Sequence, residues 1–165
     1  MKGTLVLENG YEFVGDFFGF KKNIEGEIVF NTSMVGYPES LTDPSYKNQI
    51  LVLTYPCIGN YGVPEEKRDD KTNLLKYFES DNIQISGLII ADYCENHSHW
   101  NSNITLSEWM KNAKVPGLFN IDTRQLTKIL RDNFVDLAKK IKKKIKLEKM
   151  DTVMDIGCND GNLLK

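Results

Sequence analysis

Cysteine is scarce and odd in number in this 165-residue chain: there are three, Cys57, Cys94 and Cys158. A disulfide framework is therefore excluded as the organising device, and a reducing compartment is the expectation. Long apolar runs are also missing. The longest, such as Ile50 to Leu53, are far too short to cross a bilayer. No excess of one charge exists, since 21 basic residues face 23 acidic ones and leave a formal net charge of −2. Without a positive field, neither nucleic acid nor an anionic membrane is an expected partner. Met1-Lys2-Gly3 runs directly into Thr4-Leu5-Val6-Leu7 with no small-residue cleavage site, so no secretory signal is expected and the cytoplasm is the expected location. Internal repeats and low-complexity tracts are absent as well.

The hydrophobic fraction of 41% and charged fraction of 27% suit one ordinary folded domain. Leu5-Val6-Leu7 and Tyr11-Glu12-Phe13-Val14 flank Asn9-Gly10, a pair that tolerates the positive φ angles of a type I′ turn and so predicts a β-hairpin. Glu27 to Phe30, Gln49 to Thr54 and Gly87 to Ala91 are apolar or β-branched runs between breakers. They are expected strands, the last two buried.

Helices are marked by their starts, where unpaired backbone N–H groups need side-chain acceptors. Thr105-Leu-Ser-Glu108 has capping-box form, followed by Leu106, Trp109 and Met110 on one face. Asp122-Thr-Arg-Gln125 repeats the device ahead of Leu126, Ile129 and Leu130. Val115-Pro116-Gly117 between them reads as a break. A short helix is expected over Leu74 to Phe78, after a charged, solvated loop from Glu65 to Lys71. From Asn133 the character changes. Phe134, Leu137, Ala138, Ile141 and Ile145 form an apolar stripe among six lysines between Lys139 and Lys146, which predicts an amphipathic basic helix. A boundary near residues 131–134 is the simplest account: one domain over 1–131, and a second segment over 134–165 made of that helix, a strand Thr152 to Asp155 and a glycine turn.

Several separated blocks stand in a recognisable order. Phe30-Asn-Thr-Ser-Met-Val-Gly-Tyr37 precedes Leu41-Thr-Asp-Pro-Ser-Tyr46, then Gln49-Ile50 and Thr54-Tyr-Pro-Cys-Ile-Gly-Asn-Tyr-Gly62. Ser98-His-Trp100 and Pro116-Gly117 through Ile121 to Arg131 follow. Together they resemble the N-terminal, non-catalytic domain of the small subunit of glutamine-dependent carbamoyl phosphate synthase, over nearly all of residues 1–131. The local physics is legible beside the resemblance: Asp43-Pro44-Ser45 suits a tight turn in which Asp43 accepts backbone N–H bonds and Ser45 is displayed at the surface. The alternative for Ser45 is that it only satisfies its own turn.

The resemblance implies an α/β domain of swivelling β/β/α type, with a mixed, partly antiparallel sheet and short helices. It implies that Ser45 contacts glutamine, and that the module docks a glutamine amidotransferase domain against the large synthetase subunit or domain in pyrimidine or arginine biosynthesis. ATP, magnesium and bicarbonate would be handled by that large portion, so no cofactor is expected in this chain. The family's glutamine hydrolysis needs a nucleophilic cysteine on a tight strand-to-helix elbow, with a histidine and a carboxylate. Cys57 (Pro-Cys-Ile), Cys94 (Tyr-Cys-Glu) and Cys158, with Ile156 and Asp160 around it, lack the small flanking residues of such an elbow. No catalytic residue is assigned, and the chain alone is expected to be inactive.

Two other signals compete. Cys94, His97 and His99 offer metal-ligating chemistry, but no local fourth ligand is evident and no metal site is assigned. Val153 to Leu164 resembles the first motif of S-adenosylmethionine-dependent methyltransferases, with Asp155, Gly157 and Gly161 at the matching cofactor positions. A truncated methyltransferase fusion is the alternative reading, although no second strand follows to hold a ribose.

Overall fold

The computed structural model describes residues 1–99 and 101–145, in two compact units, Met1–Thr123 and Arg124–Lys165. The first unit is a six-stranded mixed sheet with short helices. Its strands are β1 (Lys2–Val6), β2 (Glu12–Gly19), β3 (Ile28–Asn31), β4 (Ile50–Leu53), β6 (Gly87–Ile90) and β8 (Pro116–Phe119). They lie in the order β1-β2-β8-β6-β4-β3, while β5 (Val63–Pro64) and β7 (Ser102–Ile104) form a separate antiparallel pair. Half of the large sheet is antiparallel, where β1 pairs β2 and β2 pairs β8. The other half, β8-β6-β4-β3, is parallel.

The first hairpin forms as the alternation of Leu5 and Phe13 with exposed residues requires, but its turn differs by one residue from the expected one. The Gly10 N–H donates to the Leu7 carbonyl, and the Leu7 N–H to the Tyr11 carbonyl, both at 2.9 Å. Gly10 has φ 86 and Asn9 is not among the residues with positive φ. The loop is thus a three-residue turn ending on a left-handed glycine, not a two-residue type I′ turn; one left-handed residue suffices for it. The Asn9 side chain instead accepts from the Tyr11 N–H at 3.3 Å.

Strands β4 and β6 are buried at every position, as parallel strands covered on both faces must be. Next to them the structure corrects the sequence reading. Pro116-Gly117 does not break the chain into a loop; it begins β8, which bridges the two halves of the sheet. Proline is tolerated as the first residue of a strand, and Gly117 leaves the space into which the Phe18 ring packs. Leu74 to Phe78 forms no helix. Asp69 draws the Lys71 and Thr72 N–H groups to its carboxylate at 3.0 Å each, and Arg68 forms an antiparallel bridge with Leu75. A side chain that captures local N–H groups in a turn competes with helix formation. The stretch Glu65 to Lys71 is largely exposed, as expected.

Helix α1 (Tyr37–Thr42) and α2 (Leu106–Asn112) lie in the first unit. α2 carries the expected capping box: Thr105 Oγ1 accepts from the Glu108 N–H at 3.1 Å, and Glu108 Oε2 accepts from the Thr105 N–H at 3.3 Å. Its Leu106 and Met110 enter a core shared with Leu41, Leu51, Leu53, Leu88 and Ile90, and Trp109 packs on Phe78 with ring centroids 5.5 Å apart. The two helices expected on either side of residue 132 are one, α3 (Thr123–Lys144). No proline or glycine interrupts that stretch, so the backbone ladder has no reason to stop. Phe134, Val135 and Leu137 are exposed along it, as is Ile145 just past its end. The expected strand Thr152 to Asp155, the glycine turn after it and Trp100 lie outside the described residues. Among the described residues, no helix is long and apolar enough to cross a membrane.

Candidate functional site

The segment joining β3 to β4 carries the residues that the sequence singles out. It leaves the sheet at Asn31, whose side chain organises the exit. Asn31 Nδ2 donates to Tyr46 Oη at 3.2 Å and to Ser40 Oγ at 3.4 Å, while its Oδ1 accepts from the Ser33 N–H at 2.7 Å. The chain then runs over Ser33 to Val35 and turns at Gly36, whose φ of 85 is left-handed and favours glycine. Met34 and Val35 project into solvent, 67% and 76% exposed.

No side chain caps α1 at Gly36. Its first N–H groups are met from a distant loop instead: the Tyr61 hydroxyl accepts from Gly36 N–H at 3.0 Å and Tyr37 N–H at 3.1 Å. The Tyr61 ring lies on that of Tyr37, centroids 4.2 Å apart and planes 21° from parallel. In return the Tyr37 hydroxyl donates to the Gly62 carbonyl. Burial raises the pKa of both phenols, for Tyr37 with the Tyr61 hydroxyl adding to it, so the pair is neutral wherever the protein is folded near neutral pH. At the other end of α1, Thr42 Oγ1 donates to the Pro38 carbonyl at 2.9 Å and accepts from the Glu79 N–H at 3.0 Å. Ser80 Oγ donates to the Thr42 carbonyl at 2.6 Å.

Beyond this buckle the chain makes a single 3-10 turn, Pro44–Tyr46. Asp43 Oδ1 accepts from the Ser45 N–H at 2.8 Å, the bond expected of an aspartate ahead of Pro-Ser. The turn is thus secured by Asp43 and by Tyr46, whose hydroxyl is held by Asn31 and whose pKa burial raises. Ser45 is exposed, and its hydroxyl enters none of the hydrogen bonds among the described residues; only its backbone N–H is engaged. A hydroxyl that its own turn does not use is free for an external acceptor or donor. The buckle of Tyr37, Tyr61 and Asn31 was not assigned a role from sequence. Both tyrosines lie in the glycine- and proline-punctuated blocks, but their pairing spans 24 residues and no local pattern announces it.

Other candidates separate. His99 meets the edge of the Tyr61 ring, centroids 6.2 Å apart, while His97 lies against Gly62. Among the described residues, no three His, Cys, Asp or Glu side chains converge as a metal-holding group. A cavity of about 480 Å³ opens on the sheet beside Phe17, Ile24, Ile50 and Leu118, with Glu8, Lys22 and Glu25 also on its walls; its lining is polar and apolar in equal measure, and Ser45 is not part of it. Asp155, Gly157 and Gly161 lie outside the described residues.

A six-stranded mixed sheet with few short helices, from which a tightly buckled loop displays Ser45, is a mixed α/β domain of the swivelling β/β/α type. The chain belongs to the carbamoyl phosphate synthase small-chain family. The family model described as "Carbamoyl-phosphate synthase small chain, CPSase domain" matches residues 5–139. The chain is 52% identical over 136 residues to the carbamoyl phosphate synthase arginine-specific small chain of Phaeosphaeria nodorum, covering 82% of this chain and 28% of the relative. With the protein of the same name from Saccharomyces cerevisiae it shares 47% identity over 138 residues, 84% of this chain and 34% of the relative. With that of Aspergillus fumigatus the identity is 50% over 138 residues, 84% and 30% respectively. The chain therefore spans about a third or less of the length of these relatives. The matched segment reaches past residue 131 along α3 and ends before Asp155, and these comparisons lend no support to the methyltransferase reading.

Proposed function

We propose that this chain serves as the non-catalytic N-terminal module of a glutamine-dependent carbamoyl phosphate synthase small subunit. It docks an amidotransferase domain against the large synthetase portion and presents Ser45 to the bound glutamine. The observation that carries the reading is the division of labour in the Asp43–Tyr46 turn: Asp43 and Tyr46 hold the backbone, while the Ser45 hydroxyl stays exposed and unused. Met34 and Val35, exposed on the loop braced by Asn31, supply apolar area of the kind that protein partners cover.

The module's part in the chemistry is positional. Glutamine hydrolysis takes place in the amidotransferase domain, and ATP, magnesium and bicarbonate are handled in the large portion. The relatives are named arginine-specific, and assignment to arginine biosynthesis follows them.

The test is made in the complete enzyme assembled from this small subunit and its large partner. Ser45→Ala should raise the glutamine KM several-fold, corresponding to about 0.5–1.5 kcal/mol for one lost hydrogen bond, with ammonia-dependent synthesis unchanged. Unaltered glutamine kinetics in Ser45→Ala would remove the glutamine contact from the proposal. Failure of the small subunit to co-purify with the large one at low salt would remove the docking role.

A further inference from the structure

Cys57 and Cys94 are far apart in sequence, yet the fold brings them to the same place. Ile58 and Tyr93 form an isolated parallel bridge, and one cysteine lies just before it, the other just after. The Cys94 N–H donates to the Ile58 carbonyl at 2.9 Å, and the Asn60 N–H to the Cys57 carbonyl at 3.2 Å. This tight turn starts from Cys57 in the left-handed region, at φ 64, and packs directly on the backbone of Cys94, so closely that a Cβ on Gly59 would meet the Cys94 carbonyl. Cys57 is exposed and Cys94 half-buried, and both are free thiols.

We propose that Cys57 and Cys94 form a reversible dithiol site, a modification site that closes to a disulfide when a hydroperoxide or a small disulfide such as oxidised glutathione reaches the exposed Cys57. With a hydroperoxide, the Cys57 thiolate attacks the terminal oxygen. An S–O bond forms, the O–O bond breaks and the alkoxide leaves, taking up a proton as alcohol. Cys94 then attacks the Cys57 sulfur: the S–S bond forms, the S–O bond breaks and water departs. Two thiols are oxidised while one hydroperoxide is reduced. With a small disulfide, the Cys57 thiolate attacks one sulfur, a mixed disulfide forms and the small disulfide's own S–S bond breaks to release one small thiol; Cys94 then attacks the Cys57 sulfur and displaces the second small thiol. The order follows from access, since an oxidant in solvent meets Cys57 first. Burial, with Cys57 and Asp92 alongside, raises the Cys94 pKa, which makes Cys94 the poorer first target for an oxidant in solvent.

Closure ties the Cys57–Asn60 turn to the chain at Cys94. The next residue, Tyr61, is the one whose hydroxyl receives both N–H groups at the start of α1, so the bond would tighten the buckle at that helix start. The thiol pair itself does not depend on the glutamine reading.

The test is equilibration of the purified full chain in a series of reduced and oxidised glutathione mixtures, followed by acid quench, alkylation, digestion and mass spectrometry. A Cys57–Cys94 linked peptide, two hydrogens lighter than the sum of its parts, should grow with oxidation and vanish in dithiothreitol. Cys57→Ser, at an exposed position, and Cys94→Ser should each abolish it, while Cys158→Ser leaves it intact. A glutathione adduct that persists on Cys57 while Cys94 remains alkylatable would overturn the proposal. So would a link through Cys158 in its place. Should Cys94→Ser fail to fold, Cys57→Ser and the linked peptide of the unsubstituted chain decide the matter alone.

Discussion

The Tyr61 hydroxyl stands where a capping side chain would stand for α1, accepting the Gly36 and Tyr37 N–H groups while its ring lies 4.2 Å from that of Tyr37. A cap supplied from 24 residues away links the loop after β3 to the loop after β4. Tyr61→Phe keeps the stack and removes the acceptor, leaving two part-buried donors without it. The expected loss is about 1–3 kcal/mol, the cost of an unsatisfied buried group. It should be read as a lower urea midpoint with an unchanged m-value; a midpoint within error of the unsubstituted chain would show that water replaces the hydroxyl at no cost.

Gly117 makes a second prediction, because a Cβ there would run into the Phe18 ring. Phe18 stacks on Tyr93 at 4.7 Å and meets Phe119 edge-on at 6.1 Å, so it cannot yield without disturbing both. Gly117→Ala should cost about 1–3 kcal/mol through overpacking, again measured by urea unfolding. Gly10→Ala is the instructive contrast. Its Cβ meets nothing, and only the left-handed φ of 86 opposes it, a strain of about 1 kcal/mol.

What was legible in the sequence was what local chemistry decides. Thr105 and Glu108 announce α2 because a capping box is complete within four residues, and Asp43 announces its turn because its acceptor and the Ser45 donor are two residues apart. The buried runs at β4 and β6 were equally plain. What was missed depends on partners distant in the chain. Pro116-Gly117 looks like a break until β2 and β6 come to lie on either side. Leu74 to Phe78 looks mildly helical until Asp69 takes up the neighbouring N–H groups. Ser45 could be named as a candidate, whereas the tyrosines that brace its loop could not, since nothing near Tyr37 in sequence points to Tyr61.

Acid should erode the fold through three carboxylates. Asp16 is held below the ordinary range by hydrogen bonds from Lys2 and then Asn120, Asp69 by the backbone N–H groups of Thr72 and Lys71, and Glu108 by the Thr105 N–H. A carboxyl whose folded pKa lies below its unfolded one stabilises the fold above the unfolded value and loses that contribution as pH falls through the folded one. The melting temperature should therefore decline as pH drops through and below the ordinary carboxylate range of about 4. Asp69→Asn should show a shallower decline. Parallel acid limbs for the two proteins would remove Asp69 from the account.

The last prediction separates holding the turn from using it. Asp43 and Ser45 are two residues apart and joined by one bond of 2.8 Å, in which the Asp43 carboxylate accepts from the Ser45 backbone. The Ser45 side chain takes no part in that bond, so Ser45→Ala deletes an exposed hydroxyl and should change stability by less than about 0.5 kcal/mol. Asp43→Ala removes the cap and should cost about 0.5–2 kcal/mol, while also letting the backbone that carries Ser45 wander. In the assembled enzyme the two substitutions should then both raise the glutamine KM, yet only Asp43→Ala should lower the urea midpoint of the isolated chain. Asp43→Asn, which retains an acceptor oxygen, should recover most of the lost stability and, with it, the KM. If Ser45→Ala lowered the midpoint as much as Asp43→Ala does, the hydroxyl would be a structural part of the turn, and its availability to a ligand would have to be abandoned.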